Sequence, residues 1–532
     1  MNNLKSLPIL IILGAIGVLT LFAVTRFGIG ITPDSTVYID AAHSLLRGDG
    51  LSVLSGTSSE LKPLTHYPPL YSCLLASIGT VGVGLTIAAR WLNAILFGAN
   101  IFLVGLIIGA YARQVFWLPV LGSFLTLTAP DVLLIHSSAL TEPLFICFVL
   151  IGLLCLAFFI DNQQRRFLIA ASVAMGLSFL TRYVGIVSVL SGVVVILIFN
   201  SKGLSRRLMD ALIFGLISCA PIGLWAIRNH FATGGATDRQ FVFHPVPLHQ
   251  LVSGSSTIAW WLLLSQVRTD IRVTALLLEV AAIAGLTLYL LKRKKRIRLD
   301  GEVRAFAKLP HILLVFIVLY LGFLVFTATC IDADTVFDHR SLLPVRVATL
   351  ALVPCLARNV YLRSQPSRLI RLTFVLLAII FSIAYSVRAA KWLLPARRDG
   401  QGYASRSWRE SATIARVRGL PAGVPIYSNG YDAIYYLTSR HAILIPERII
   451  HGTGRPNVNY NPEIEKMRDD LREHNGFLVY FNTLPERWSL PSESELNERL
   501  SLRLAAAESD GSIYSVGSRP EIKSGPQVNK NE

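Results

Sequence analysis

Apolar runs long enough to cross a bilayer recur along most of this 532-residue sequence. They constrain its fold more than any other feature. A spanning helix needs about 20 apolar residues. Runs of that kind fall at roughly 7–27, 84–110, 115–130, 139–160, 167–182, 184–200, 209–227, 272–291, 310–328, 342–360 and 371–389. They predict about eleven spans. The chain is 53% hydrophobic and 16% charged, whereas soluble domains have about a quarter of their residues charged. The expected fold is therefore an α-helical polytopic membrane protein.

The formal charge of +17 raises a nucleic-acid reading, which the distribution of that charge excludes as the main explanation. Lys and Arg gather in short loops between apolar runs: Arg113, Arg165 and Arg166, Lys202 with Arg206 and Arg207, Lys292–Arg296, and Arg363 with Arg368 and Arg371. Cytoplasmic loops carry such an excess. The pattern predicts a cytoplasmic N-terminus and, with an odd number of spans, a C-terminus outside. The run 292–296 reads as a stop-transfer anchor. Residues 7–25 read as a retained first helix, because no small-residue cleavage site follows them. The six cysteines lie in or beside apolar runs without CxxC spacing, so they read as small core hydrophobes.

Three segments fall outside on this reckoning. The first is the loop 28–83, with Thr32-Pro33-Asp34 near its start and His66-Tyr67-Pro68-Pro69-Leu70-Tyr71 further on. Its prolines and the apolar 70–78 suggest a chain hugging the interface. The second is 228–271, where Trp260-Trp261 suits an interfacial belt. The third follows residue 390. There, short apolar or alternating runs (424–428, 442–446, 476–481, 511–516) separate helix-like stretches, which predicts an extracytoplasmic α/β domain over 391–518. A disordered tail is expected over 519–532. The C-terminal part has neither GxGxxG nor GxxxxGK[ST], so a nucleotide site there is not expected. No internal repeat is visible.

Ionisable groups in or at the ends of spanning helices are costly, so each is a candidate for function. Asp34 lies just past the outer bilayer edge, and its competing reading is an ordinary helix cap, with Asp34 or Ser35 starting a short amphipathic helix that runs to about Leu46. Glu142 opens the fourth span in Thr141-Glu142-Pro143, where an acid in a first turn is also good helix chemistry. Arg182 ends the fifth span and Arg228 the seventh, positions that suit a dipole partner or a snorkelling side chain. Arg340, after Asp338 and His339, sits at a helix start, where a cation opposes the dipole. A carboxylate plus several guanidiniums is what group transfer from a phosphate-linked donor needs. The base takes a proton from the attacking hydroxyl, and the arginines hold the departing phosphate. A divalent metal ion bridging carboxylates, with Asp34 and Glu142 as candidates, would share in holding it. His66 and His339 are further candidate ligands, although no HExxH is present.

Several pieces, in order and on one side of the membrane, carry a family resemblance. They are Pro33-Asp34-x-x-x-Tyr38 with Ala41-Ala42 and Gly48, Tyr67-Pro68-Pro69-Leu70-Tyr71, Ala89-Arg90-Trp91-Leu92-Asn93, and Thr141-Glu142-Pro143-Leu144-Phe145. Gly176-Leu177-x-x-Leu180-Thr181-Arg182, Arg228-Asn229 and Asp338-x-Arg340-x-Leu342-Leu343-Pro344 complete the set. The sequence resembles the bacterial family-39-like glycosyltransferases of the GT-C superfamily, related to protein O-mannosyltransferases and the aminoarabinose transferase of lipid A. The resemblance covers residues 1–390, and the tail is similar to the extracytoplasmic domain of many such proteins.

The resemblance implies a transferase with a polyprenyl-phosphate sugar donor and Asp34 as catalytic base. Many relatives carry a second acid directly after it, where this chain has Ser35. Glu142 would position the acceptor or bind metal, and Arg182 and Arg340 would face the donor phosphate. Tyr38, His66, Tyr67, Arg228 and Asp338 complete the expected substrate-binding set. The acceptor would be a hydroxyl of a glycan, lipid or protein, reached on the outer face of a bacterial inner membrane, with no nucleic acid involved. The alternative is a transporter or flippase of a lipid-linked saccharide, which would use the same arginines.

Overall fold

Inside a bilayer every backbone amide must find its partner within its own segment, so apolar runs fold as helices. The structure is a computed structural model that describes residues 6–57, 60–262, 306–363, 368–484 and 487–516. In chain order it has α1 (Leu7–Val24), α2 (Pro33–Arg47), β1 (Ser52–Leu54), β2 (Leu61–Pro63), α3 (Leu70–Gly79), α4 (Leu85–Tyr111), α5 (Trp117–Leu127) and α6 (Pro130–His136). Then come α7 (Glu142–Asn162), α8 (Arg165–Thr181), α9 (Ile186–Phe199), α10 (Leu204–Thr233), α11 (Leu248–Leu262), α12 (Leu309–Cys330), α13 (Leu343–Arg363) and α14 (Arg368–Asp399). The remainder is α15 (Arg406–Arg409), α16 (Ala412–Arg418), β3 (Ile426–Ser428), α17 (Tyr431–Thr438), β4 (Ile443–Leu444), β5 (Ile449–Ile450), β6 (Arg455–Pro456), α18 (Tyr460–Glu473), β7 (Phe477–Phe481), α19 (Glu493–Leu500), β8 (Arg503–Glu508) and β9 (Gly511–Ser515).

Six of these helices are long and apolar enough to cross a membrane: Leu7–Val24, Leu85–Tyr111, Glu142–Asn162, Leu204–Thr233, Leu309–Cys330 and Leu372–Asp399. The chain is a multi-pass membrane protein. Helices α5 and α6 form a pair bent by 59°, which makes seven if the pair is one span. The bend has a local cause. Pro130 has no amide hydrogen, and it holds Ala129 in an extended conformation at ψ 117°. About eleven spans are thus not reached among the described residues. Helix α8 has 17 residues and α9 has 14, both short for a crossing. The candidate span 272–291, the cationic run 292–296 and the tail 519–532 lie outside the described residues.

The chain divides into two units. One comprises residues 1–24, 65–71 and 91–395, and the other 25–64, 72–90 and 396–532. In the first, α7 and α8 form a closely packed hairpin against α9 and α10, while α12, α13 and α5 pack in succession. Helices α1 and α4 cross backbone to backbone. A Cβ added at Gly14 would sit 2.9 Å from the Gly98 carbonyl oxygen, and one added at Gly98 would sit 2.7 Å from that of Gly14.

The second unit is built on a five-stranded mixed sheet of order β4-β3-β7-β9-β8. Strand β3 runs parallel to β4 and β7, and β9 is antiparallel to β7 and β8. Alternate residues of β7 serve two cores. Phe477, Val479 and Phe481 join Ile414, Ile434 and Ile513 on one face. Leu478 joins Met467, Leu471 and Leu496 on the other.

Helix α2 belongs to this second unit. Asp40 is buried and accepts from the Leu54 amide at 2.6 Å and the Tyr435 hydroxyl at 3.1 Å. The Leu444 amide donates to the Gly56 carbonyl at 2.7 Å. Ile31 and Gly402 form a parallel bridge. Gly402 has φ +54°, and any Cβ there would run into the Ile31 backbone. Most of the loop 28–83 is therefore grouped with the chain after residue 395, a division that does not follow the 390/391 boundary.

Candidate active site

Glu142 is the first residue of α7, and it does not act as a cap for that helix. Thr141, at the N-cap position, makes no side-chain capping bond; its hydroxyl accepts instead from Arg182 Nη1 at 2.9 Å. The Glu142 carboxylate, 1% exposed, receives Arg182 Nη1 at 2.6 Å and Arg340 Nε at 2.5 Å, both on Oε1. Arg182 follows the last residue of α8, and Arg340 precedes α13 in the turn of residues 338–342. Three distant stretches of sequence thus converge on one oxygen. The arginine side chains are 26% and 30% exposed, so the carboxylate is the buried anchor and the guanidiniums are its accessible face. Oε2 of Glu142 is buried with no hydrogen-bond partner among the described residues.

This donor set does not fit a divalent cation, since one carboxylate stands among cations. Among the described residues no group of three or more His, Cys, Asp or Glu side chains is placed to hold a metal ion.

The other candidates named from the sequence have surroundings of their own. His66 Nδ1 contacts Asp238 Oδ2 at 2.8 Å, with the Tyr67 ring 4.5 Å from the imidazole, centroid to centroid. Burial works to raise the Asp238 pKa, but the His66 hydrogen bond, the His66 charge and Arg239 outweigh it and hold the carboxyl below its ordinary range. Arg239 in turn reaches Asp332 at 3.1 Å. Arg228 lies over the Trp225 ring at 4.7 Å and donates to Asn229 Oδ1 at 3.0 Å. Trp225 Nε1 donates to Tyr183 Oη at 3.3 Å, and Tyr183 Oη donates to the Thr65 carbonyl at 2.8 Å. Asp338 acts locally. Its Oδ1 accepts the amides of Arg340 at 3.0 Å and Ser341 at 2.8 Å, fixing the turn from which Arg340 projects.

In the second unit, Asp34 is the second residue of α2, partly buried. The helix reading holds for its neighbours, with Thr32 rather than Asp34 or Ser35 as the N-cap. Thr32 and Ser35 form a reciprocal capping box, with Ser35 N to Thr32 Oγ1 at 3.3 Å and Thr32 N to Ser35 Oγ at 3.0 Å. Asp34 is left out of that box, and its charge is felt by Tyr431. The Tyr431 hydroxyl is pushed up to about 12, first by burial and then by Asp432, with Asp34 adding to the effect. Tyr38 is 1% exposed.

A second charged group in the first unit escaped the sequence reading. Asp131, at the start of α6, lies 3.6 Å from Arg346 of α13, and both side chains are buried. Arg346 also donates to the Tyr385 hydroxyl, which donates to the Trp261 carbonyl at 2.8 Å. The available signal was a charge inside each of two apolar runs, 115–130 and 342–360, or one residue past its end.

No protein-family profile and no curated protein sequence matches the chain. Among solved structures, it is similar to ArnT from Cupriavidus metallidurans bound to undecaprenyl phosphate, at 14% identity over 97% of this chain and 99% of that one, with a TM-score of 0.49. It is also similar to the archaeal oligosaccharyltransferase AglB from Archaeoglobus fulgidus, in complex with an inhibitory peptide and a dolichol-phosphate, at 12% identity over 89% and 69% of the two chains and a TM-score of 0.48. The arabinofuranosyltransferase AftD from Mycobacteria aligns at 15% identity over 96% and 40%, with a TM-score of 0.49.

Proposed function

We propose that the chain is a membrane glycosyltransferase that moves a sugar from a polyprenyl-phosphate donor to an acceptor hydroxyl on the extracytoplasmic face. In the reaction, the Asp34 carboxylate takes the proton of the acceptor hydroxyl. The hydroxyl oxygen attacks the anomeric carbon as the bond from that carbon to the phosphate oxygen breaks. The electron pair leaves with the lipid phosphate, which gains one negative charge, and the anomeric centre inverts. Asp34 then returns its proton to water.

The observation that carries this reading is the partly exposed pair Arg182–Arg340, anchored on buried Glu142. Donors fixed in advance stabilise charge as it develops without reorganising. The pair offers guanidinium donors to the departing phosphate, which gains one negative charge. Cytosolic nucleotide sugars do not reach an outer site, whereas a lipid-borne sugar does. The acceptor class stays open among glycan, lipid and protein hydroxyls, and the membrane is proposed to be the bacterial inner membrane, with the N-terminus cytoplasmic.

The test is purified full-length protein with a radiolabelled undecaprenyl-phosphate sugar and an envelope extract as acceptor source. Asp34→Asn is expected to bind donor with unchanged affinity and to lose transfer by at least about a hundredfold. Turnover near that of the wild type would remove Asp34 from the mechanism.

A second reading, a transporter or flippase of a lipid-linked saccharide, draws support from the bent α5–α6 pair and the buried Asp131–Arg346 couple. Broken helices and buried charges are what such proteins use. Release of free undecaprenyl phosphate separates the two readings, since a flippase returns its lipid with the sugar still attached.

A further inference from the structure

One face of α2 borders a cavity of about 40 Å³ within the second unit. Val37 and Asp40 of α2, Ser55 just after β1, Tyr431 and Tyr435 of α17, and His441 line it. Val37 lies one turn after Asp34, so the two share a face of the helix. The charge of Asp34 is felt at Tyr431, which agrees with that placement. A single water needs at least about 10–15 Å³. The cavity therefore admits a few waters, or the few hydroxyls on one edge of a sugar ring, and not a bulky head group.

The polar groups of the lining differ in kind. The Tyr431 hydroxyl makes no hydrogen bond among the described residues, so it has a donor to offer. His441 Nε2 donates to the Ser55 carbonyl at 3.4 Å, which leaves Nδ1 of the neutral ring as an acceptor. Asp40 accepts from the Leu54 amide and the Tyr435 hydroxyl, and its carboxylate keeps further lone pairs. A donor, a ring acceptor and a carboxylate beside two tyrosine rings match a ligand whose hydroxyls both donate and accept around an apolar ring. In the plain alternative, solvent alone fills the cavity. An unpartnered hydroxyl in the lining, with Asp34 on the same helix face, favours a ligand.

Charge narrows the class. Asp432 also lines the cavity, but Arg487 takes up its charge at 3.2 Å. Asp40 has no ion-pair partner among the described residues, and no Lys or Arg lines the cavity. A phosphate or carboxylate placed there would meet a like charge with nothing to offset it.

We propose that this cavity seats the acceptor, and that the acceptor is an uncharged saccharide held by Tyr431, His441 and Asp40 with its attacking hydroxyl turned to Asp34. The acceptor role rests on the transferase reading, whereas saccharide binding as such does not.

The experiment is saturation-transfer nuclear magnetic resonance on the full-length protein in phosphatidylcholine nanodiscs. The probes are the methyl glycosides of glucose, galactose and mannose, each paired with its uronic acid counterpart. At least one neutral glycoside is expected to bind, and its uronate is not. Tyr431→Phe is expected to weaken that binding about threefold to tenfold while keeping the melting midpoint. Val37→Trp, which fills the cavity and removes no hydrogen bond, is expected to abolish it. Asp34→Asn is expected to bind the glycoside as the wild type does, so loss of the base and loss of the cavity are separable. Binding of none of the neutral glycosides would overturn the proposal, and so would affinities unchanged in both Tyr431→Phe and Val37→Trp. Equal binding of the uronate would overturn the uncharged class. Displacement of the glycoside by a serine tripeptide amide would give the cavity to a protein acceptor instead. Saccharide binding by a protein that transfers nothing would remove the acceptor role together with the transferase reading, a failure distinct from loss of binding.

Discussion

Replacing Glu142 with Gln keeps the shape of the side chain and removes the negative charge that Arg182 and Arg340 both contact. Each ion pair is short, at 2.6 and 2.5 Å. Contacting unit charges attract by about 4 kcal/mol at an effective dielectric of about 20. The two guanidiniums also repel each other, by less, because each is nearer to the carboxylate than to the other. Breaking a buried pair from one side costs about 3–5 kcal/mol. Both arginines are partly exposed and can swing toward water, so Glu142→Gln is expected near the low end, about 3 kcal/mol.

The sharper expectation concerns Arg340→Gln in two backgrounds. In the wild type it removes an attraction and leaves Glu142 paired with Arg182, at a cost of about 1–2 kcal/mol. In Glu142→Gln that attraction is already gone, so the same change should cost less. The cycle therefore closes with a coupling of about 1–3 kcal/mol. Apparent melting midpoints in nanodiscs at one scan rate provide the comparison, because such proteins often unfold irreversibly. An equal cost of Arg340→Gln in both backgrounds would show that its guanidinium does not depend on Glu142, and the anchored pair would be abandoned.

Other outcomes follow from the same structure. Asp40→Asn loses one of two buried acceptors and should destabilise the second unit by about 1–3 kcal/mol, read by proteolysis of the sheet region. Gly98→Leu places a side chain against the Gly14 backbone and should lower the melting midpoint while leaving the far-ultraviolet helix signal intact; an unchanged midpoint would deny the α1–α4 crossing. The Asp238 carboxyl is held below its ordinary value of 3.8, so its contribution is complete above that value and lost as pH falls through the lower folded one. Protection of the loop 234–247 from hydrogen exchange should accordingly drop only in strong acid, and Asp238→Asn should remove that dependence.

Much of the membrane unit was legible because burial in lipid leaves a plain mark: apolar runs with cations at their ends. Glu142, Arg182 and Arg340 stood out as charges at helix ends, and they meet. Their convergence was not legible, since nothing in 198 residues of separation between Glu142 and Arg340 encodes a contact. Asp131 and Arg346 were missed because a lone charge in or next to a greasy run reads as an interruption until its partner is seen. The apolar runs after residue 420 coincide with β3, β4, β7 and β9, whereas β8, Arg503–Glu508, is an edge strand whose polar ends hide it. A helix starting at Asp34 or Ser35 was legible; that Thr32 caps it was not. That α2 would be held by Tyr435 was not, because the pairing joins positions 395 residues apart.

That long reach has a consequence in time. Tyr435, which seats α2, is made 395 codons after Asp40, and synthesis runs at about 5–20 residues per second. For roughly 20–80 seconds the Asp34 segment exists without its supports. A nascent or truncated protein would carry α2 without the Tyr435 hydroxyl that holds it, so this helix is seated only after most of the polypeptide has been made.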